Sequence, residues 1–305
     1  MDKHFFIDPT VDILPAKDDQ IFKSLLTRSE PESKIVLMDL IGSIIGRKVT
    51  DVVIKNNEPA TMDITQKQER LDINCEIDSK EIINIEMQAS NTKEFPKSDH
   101  KNVKNKSVYY GCDLFSSQSI KGKTYADLVK TYQITFIAYT IFPDITGYRN
   151  DFMLRTVNGD ILTDELSIIF IELSKLKEVL KKPVEEMTSL EMWSIFFECA
   201  DNPIYRNVVN EIIRIKEEIQ MASTLLQSIS QDDYERARFL SKRKFENDLE
   251  SDRNTAIKIA MYEVAKNLIR MGLSNNKILE ATNSIISEIE IETLRGEIAK
   301  RNKNY

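Results

Sequence analysis

The chain reads RLDINCEIDSKEIINIEMQA from Arg70 to Ala89, and this is its most informative segment. Apolar and polar residues alternate on both sides of a short polar break, as in two half-buried strands joined by a turn. One set of side chains is apolar: Leu71, Ile73, Cys75 and Ile77, then Ile83, Ile85, Met87 and Ala89. The opposite set is polar and includes Asp72 and Glu86. The sequence therefore predicts a β-hairpin with one apolar and one polar face.

The hydrophobic pattern also predicts the register of this hairpin. A three-residue turn over 78–80 pairs Ile77 with Glu81, and the same register places Asp72 directly opposite Glu86. Side chains directly opposite each other are about 5 Å apart. A slip by one residue would mix apolar and polar neighbours along the whole ladder, so we expect two carboxylates side by side.

Two adjacent carboxylates repel each other unless positive charge lies between them. A hard divalent cation such as Mg²⁺ binds one or two carboxylates, with water and substrate phosphate filling its remaining positions. The pair therefore fits a metal-dependent phosphodiesterase. The alternative is a hairpin whose polar face simply meets water.

Composition narrows the classes of function. The net charge of the 305-residue chain is −7, which is not the global signature of a nucleic-acid-binding protein. Cys75, Cys112 and Cys199 are widely spaced and indicate neither a disulfide framework nor a zinc site. His4 and His100 are the only histidines, which excludes most zinc hydrolases and histidine-based triads. The cysteine usage fits a reducing, cytoplasmic setting best. The start of the chain has no signal-peptide pattern and no apolar run reaches membrane length, so we expect no association with a membrane.

Charge is distributed unevenly, because a basic segment follows the hairpin. It contains Lys93, Lys97, Lys101, Lys104 and Lys106. A basic stretch beside an acidic pocket suits a track for the phosphate backbone of DNA. The alternative is a lysine-rich loop and helix face that are only solvated.

Along the chain the predicted order is α, β, β, β, α, β, with a further hairpin and a helical remainder. The first helix starts at Asp18 or Asp19. The added hairpin comprises strands at 151–156 and 166–173. We predict helices at 188–200, 204–229, 232–249 and 254–271, followed by two short helices capped by Ser274 and Ser284. The last two helices have the outline of a helix-turn-helix but fit a packing or oligomerisation module better.

Several segments together resemble the recombination-promoting nuclease and transposase family of bacteria, whose core has the PD-(D/E)XK restriction-endonuclease-like fold. The segments are DQIFK (19–23), Asp72, IEMQ (85–88), KSVYY (106–110), QSIKGKTY (118–125) and DILTDELSIIFIELSK (160–175). The resemblance implies an α/β protein with an αβββαβ core, in which helices flank a mixed sheet. It implies a nuclease-like domain over 1–182, including the added hairpin, and a mostly helical region over 183–305 that serves interaction or DNA binding.

The resemblance also implies the residues of a metal site. Asp72 and Glu86 would bind Mg²⁺, or Mn²⁺ in its place, and the backbone carbonyl of Met87 would add a ligand. Gln88 stands where the wider superfamily usually has lysine. A glutamine cannot supply positive charge and can only orient groups by hydrogen bonds.

Further residues are candidates for catalysis and DNA binding. Asp19 is the candidate third carboxylate, with a plain helix cap as the alternative. The candidates for DNA binding are Lys23, Lys104, Lys106, Tyr110 and Gln118. For Tyr110 and Gln118 the alternative is core packing and a hydrogen bond between helix and sheet. Lys106 stands where relatives tend to have arginine, so a bidentate phosphate clamp would become a point charge.

The expected function is that of a Mg²⁺-dependent endodeoxyribonuclease that hydrolyses phosphodiester bonds in DNA. One alternative is a catalytically silent relative that binds DNA or a recombination partner through the same fold. Another is an interaction protein that self-associates through its helical C-terminal half.

Overall fold

A computed structural model describes residue 7 and residues 11–55, 73–89, 97–118 and 124–303. The helices are α1 (Asp19–Thr27), α2 (Pro31–Ile45), α3 (Lys97–Ser116), α4 (Ser189–Cys199), α5 (Arg206–Ile215), α6 (Glu217–Gln231), α7 (Asp233–Arg270), α8 (Asn275–Ala281) and α9 (Glu288–Lys303). The strands are β1 (Val52–Ile54), β2 (Ile73–Ile77), β3 (Glu81–Gln88), β4 (Thr131–Ile137), β5 (Arg149–Arg155) and β6 (Ile161–Glu172). No helix in the described ranges is both long and apolar enough to cross a membrane.

The strands form one mixed sheet in the order β1-β2-β3-β4-β6-β5. Strands β3, β4 and β6 are parallel, and the remaining pairs are antiparallel. The predicted hairpin is confirmed, with Ile77 paired to Glu81. Its turn has positive φ at Asp78 and Ser79. Aspartate tolerates this conformation, and the carboxylate of Asp78 also accepts the backbone N–H of Thr50 at 2.9 Å.

The two faces of the sheet pack differently. On the apolar face, Ile85 and Met87 of β3 lie beside Phe136 of β4, whose ring contacts Phe22 of α1 and Phe197 of α4. The polar face is covered by α3. It is defined by the side chains of Asn84, Glu86 and Gln88 on β3 and of Thr131, Gln133 and Thr135 on β4. This layering places the side chains of Asn84 and Glu86 inside the protein.

The added hairpin is also confirmed. Strands β5 and β6 are joined by a turn in which Gly159 has φ of 99°, a value that glycine adopts readily. Strand β6 then crosses the sheet beside β4, so its C-terminal end lies at the same edge as the C-terminal ends of β3 and β4.

Two helix predictions are wrong. The predicted helix 204–229 is divided at Lys216, which has φ of −115° and ψ of 110°. Its ammonium lies 2.8 Å from the carboxylate of Asp39 on α2, so a tertiary contact accompanies a break that no glycine or proline marks. Conversely, the helices predicted at 232–249 and 254–271 are one helix, α7, since nothing in the polar stretch between them ends a helix.

The last two helices form as predicted, but one cap differs. Ser274 precedes α8 as its N-cap. Ser284 lies in the connection with φ of 56°, and α9 is instead capped by Ser287, whose hydroxyl accepts the N–H of Glu290 at 3.3 Å. The side chain of Glu290 accepts the N–H of Ser287 in return, which completes a capping box.

The chain forms two compact units, Met1–Arg236 and Ala237–Tyr305. Helices α4 to α6 therefore belong to the same unit as the sheet. The boundary at residue 182 between a nuclease-like domain and a helical region stays a prediction. The second unit has its own small core, formed by Ala265, Ile269, Ile278, Ile286, Ile291 and Leu294. A separate role for residues 183–305 in interaction or DNA binding stays a prediction.

Candidate active site

Glu86 is the carboxylate around which the polar face is organised. Only 2% of the residue is exposed. The ammonium of Lys106 donates to its Oε2 at 2.7 Å, the amide of Gln88 donates to the same oxygen at 3.3 Å, and the amide of Asn84 donates to Oε1 at 3.2 Å. A buried charge requires such partners, because it has lost its hydration. The alternative of a polar face that only meets water is therefore wrong.

Lys106 reaches Glu86 from α3 and supplies the positive charge that Gln88 cannot. The ammonium also lies 5.0 Å from the ring centroid of Tyr110, within the range of a cation–π contact. The side chain of Lys106 is 37% exposed, whereas that of Glu86 is 2% exposed. The pair thus joins a buried carboxylate to a lysine that can also meet solvent or a ligand.

A chain of hydrogen bonds extends from Glu86 across the sheet. The amide nitrogen of Asn84 also donates to Oε1 of Gln133 at 2.9 Å, and the amide of Gln133 lies 3.4 Å from the hydroxyl of Thr135. That hydroxyl lies 3.1 Å from the hydroxyl of Ser107 on α3. All of these side chains are buried. The network links two strands to the covering helix and fixes the direction from which Asn84 meets Glu86.

Close packing of α3 depends on Gly111. A Cβ atom at this position would lie 3.3 Å from Cδ1 of Leu166 and 3.4 Å from Cβ of Gln133. The helix can therefore approach the sheet closely at this point, which brings Lys106, more than one turn earlier, over the end of β3.

Asp72 lies outside the described residues. The register that the structure confirms runs from the pair Ile77 and Glu81 to the pair Ile73 and Ile85. The meeting of Asp72 with Glu86 stays a prediction. The side chain of Met87 is 2% exposed on the apolar face, so its carbonyl is the group that remains a candidate ligand.

Two candidate residues, Asp19 and Lys23, lie on α1, the helix that packs on the apolar face of the sheet. Asp18 is the N-cap of α1 and accepts the N–H of Gln20 at 3.0 Å, so the cap does not require Asp19. The buried side of α1 packs on the apolar face, whereas Glu86 projects from the polar face. Both Asp19 and Lys23 are half-buried in the helix, and their contribution to the site stays a prediction.

The three remaining DNA-binding candidates lie at different places on or after α3. Lys104 lies near the Glu86 end of the sheet, with its ammonium 4.3 Å from the ring centroid of Phe142. Tyr110 is 8% exposed and packs with Leu114, in agreement with the core alternative. The amide of Gln118 accepts the N–H of Val129 at 2.7 Å and donates to its carbonyl at 2.9 Å. These two hydrogen bonds fix the backbone just before β4, at the opposite end of the sheet from Glu86.

Sequence reasoning missed several buried polar residues of this face: Asn84 as a partner of Glu86, and Ser107, Gln133 and Thr135. Gln133 and Thr135 are two positions apart in β4, so alternation could have revealed them. The strongly apolar residues that surround them instead indicate a uniformly buried strand.

The donor groups at this end of the polar face suit a hard divalent cation. Glu86 supplies a carboxylate, Gln88 supplies an amide oxygen, and the ammonium of Lys106 shows that the site accommodates positive charge. Cys75 does not compete as a ligand, because burial raises the pKa of its thiol to about 12. Within the described ranges no three Asp, Glu, His or Cys residues converge.

Comparison with known families assigns the fold and the broad class. The profile of a family described as PD-(D/E)XK nuclease family transposase matches residues 16–256. The match covers more than half of the chain, and the chain belongs to this family. The predicted resemblance and fold class are confirmed. Membership indicates a nuclease- or transposase-like function with DNA as substrate, and such nucleases generally use divalent metals. No curated protein and no solved structure is significantly similar to the chain.

Proposed function

We propose that the chain is a divalent-cation-dependent endodeoxyribonuclease that hydrolyses phosphodiester bonds in DNA. The supporting observation is the buried carboxylate of Glu86, which is held by Asn84, Gln88 and Lys106 at the edge where three parallel strands end. Carboxylates so deeply buried are retained in proteins when they are paired or bind metals. Asp72 would complete the pair, and Mg²⁺ or Mn²⁺ would be the cation.

The cation would lower the pKa of the attacking water and neutralise charge on the scissile phosphate. Glu86 would hold it, together with Asp72 and the carbonyl of Met87. Gln88 orients the Glu86 carboxylate or the water by hydrogen bonding, because its amide carries no charge. Lys106 provides the positive charge beside the scissile phosphate, since it is the cationic group on Glu86 and is partly exposed.

The remaining residues would bind or position DNA. Lys104 lies on the same helix as Lys106 and would contact the phosphate backbone. Lys23 and Tyr110 are secondary candidates, and Asp19 would order the water or a second cation. The fastening of Gln118 to Val129 favours a structural role for that residue.

A second candidate function is that of a catalytically silent DNA-binding relative. It is favoured by the neutral side chain of Gln88 and by the direct ion pair that already neutralises Glu86. For the helical region over 183–305 we propose self-association. For the whole chain we propose a cytoplasmic location on the basis of its cysteine usage.

The test is nicking of supercoiled plasmid by the full chain with Mg²⁺ or Mn²⁺. Glu86→Gln, which preserves shape, and Asp72→Asn should each reduce the rate by about 100-fold or more, because each removes a charged ligand. Glu81→Gln is the matched control, since it makes the same change on the same strand at a site paired with Arg47. Nicking that survives both site variants would show that the site is wrong. A wild-type chain that binds DNA and never cuts it would favour the silent relative.

A further inference from the structure

Glu172 is a second buried carboxylate on the polar side of the sheet. None of its surface is exposed. Cross-strand pairing places Gln88, Ile137 and Glu172 in one row across β3, β4 and β6. Since neighbouring strands are about 4.8 Å apart, Glu172 lies about 10 Å from Gln88 on the same face. The carboxylate is thus close to the candidate active site without belonging to the predicted ligand set.

The carboxylate of Glu172 holds the segment that follows β4. Its Oε1 accepts the backbone N–H groups of Ile141 at 2.7 Å and Phe142 at 3.1 Å. Its Oε2 accepts the ammonium of Lys175 at 2.5 Å. That ammonium also donates to the carbonyls of Phe142 at 2.7 Å and Ile145 at 2.6 Å. The ion pair of Glu172 and Lys175 therefore binds both backbone N–H groups and backbone carbonyls of the irregular segment 139–145.

The held segment contacts the basic half of α3. The ring of Tyr139 stacks on His100 with centroids 6.2 Å apart, and the ring of Phe142 lies beneath the ammonium of Lys104. The residue before the segment, Ala138, donates its N–H to the carbonyl of Gln88 at 3.1 Å. The segment is therefore fastened at one end to the strand of Glu86 and packs against the helix that carries the candidate phosphate contacts.

An ion pair in this place is not explained by stability alone. Replacing a buried pair by apolar side chains of similar volume is often neutral or stabilising, because two charges must be dehydrated to form the pair. Glu172 and Lys175 instead supply directional hydrogen bonds to the backbone of this segment, including the buried N–H of Ile141, which needs a partner. Both residues lie in the stretch 160–175, which carries part of the family resemblance but has no part in the predicted site.

We propose that Glu172 and Lys175 are positioning residues for DNA binding, a role that rests on the proposed function. They hold segment 139–145 as a wall of the DNA groove next to Glu86. Through Tyr139 and Phe142, this wall fixes His100 and Lys104 so that they face the phosphate backbone beside the scissile bond. The wall acts on substrate binding and takes no part in bond cleavage.

The test compares Lys175→Met with Lys175→Arg in the full chain. Lys216→Met is the matched control, because Lys216 is similarly buried in an ion pair, with Asp39, in the helical layer. Loss of the hold should raise KM for DNA, and Kd for a labelled duplex in EDTA, by about tenfold while kcat changes less than about threefold. Hydrogen exchange of residues 139–145 should rise in Lys175→Met, fall back in Lys175→Arg, and remain at the wild-type level in Lys216→Met.

Unchanged KM and Kd in a folded Lys175→Met variant would overturn the inference alone, as would equal effects of Lys216→Met. A wild-type chain that does not bind DNA would overturn the proposed function and, with it, the inference. Should Lys175→Met fail to fold, Glu172→Gln carries the same test. It keeps an oxygen for the N–H groups of Ile141 and Phe142 and removes the charge that holds Lys175, so DNA binding should weaken in it as well.

Discussion

Replacement of Lys106 by methionine should destabilise the metal-free protein and increase its response to divalent cations. The reason is the burial of Glu86, whose carboxylate would lose the full positive charge of Lys106 and keep the amide donors of Asn84 and Gln88. Without the ammonium of Lys106, the carboxylate of Glu86 would also bind a cation more tightly, because the two positive charges no longer compete for it.

The size of the effect follows from the exposure of the two partners. Removing one partner from a buried ion pair costs about 3–5 kcal/mol. Here the side chain of Lys106 is 37% exposed and Asn84 and Gln88 still donate to Glu86, so we expect a loss of about 2 kcal/mol. For a compact unit of this size, that loss lowers Tm by about 4–8 °C.

Thermal melting in EDTA and in Mg²⁺ measures both effects. Without the ammonium, affinity for Mg²⁺ should rise about tenfold, which adds about 1.4 kcal/mol to the stabilisation at saturating metal. DNA nicking should nevertheless fall, since the charge beside the phosphate is lost. Lys104→Met is the control for melting: it removes a charge from the same helix, at a position where the ammonium lies over the ring of Phe142.

Two results would contradict this account of Lys106. In one, Lys106→Met melts like the wild type in EDTA and shows the same rise of Tm with Mg²⁺. In the other, Lys104→Met changes both quantities equally. In either case the ion pair seen at 2.7 Å would not govern the stability of the site or its response to metal.

Three further predictions concern the surroundings of the site. Gly111→Val should destabilise the first unit by about 1–3 kcal/mol in urea unfolding, because the valine side chain would overlap Leu166, and Gly111→Ala should cost less. Equal stability of the wild type and the two variants would contradict close packing of α3. Hydrogen bonds from Arg47 hold the pKa of Asp78 well below its ordinary range, so Asp78 stabilises the fold fully above about pH 4 and progressively less as the pH falls. Asp78→Asn should lower Tm at pH 7 and lower it by less at each step below about pH 4; a pH-independent difference would argue against this account. A thiol reagent should modify the exposed Cys112 in the native protein and spare Cys75 and Cys199, because both are buried and burial raises their pKa values to about 12. Mass spectrometry reads the labelling, and fast labelling of all three cysteines would show that the core around them opens.

The hairpin could be predicted because strand alternation and turn length are local properties. The pairs of Ile77 with Glu81 and of Ile73 with Ile85 follow from them directly. The burial of Glu86 could not be predicted in the same way, since it depends on α3 covering the face that the hairpin alone would leave to water. The covering helix contributes Lys106, whose pairing with Glu86 joins residues 20 positions apart.

Helix ends show the same limit. The break at Lys216 has no glycine or proline to indicate it, and it coincides with an ion pair to Asp39 on α2. The continuity of α7 was missed for the opposite reason, because a cluster of polar residues resembles a connection although each of them tolerates a helix. At both places the helical and the non-helical conformation of the chain are close in free energy, so contacts with the rest of the fold decide between them.

The polar face explains how a site can lack the usual lysine after its carboxylate and still be charged appropriately. A lysine at position 88 would bring its charge from the same strand as Glu86, and its direction would be fixed by the sheet. The charge of Lys106 comes instead from a helix, and that helix can lie close enough because residue 111 has no side chain. Under the proposed function, this partly exposed lysine would move from Glu86 to a phosphate when a cation binds, whereas Gln88 would stay hydrogen-bonded to the carboxylate. Gln88 would then provide orientation and Lys106 would provide charge, two roles that a single lysine at position 88 would have to combine.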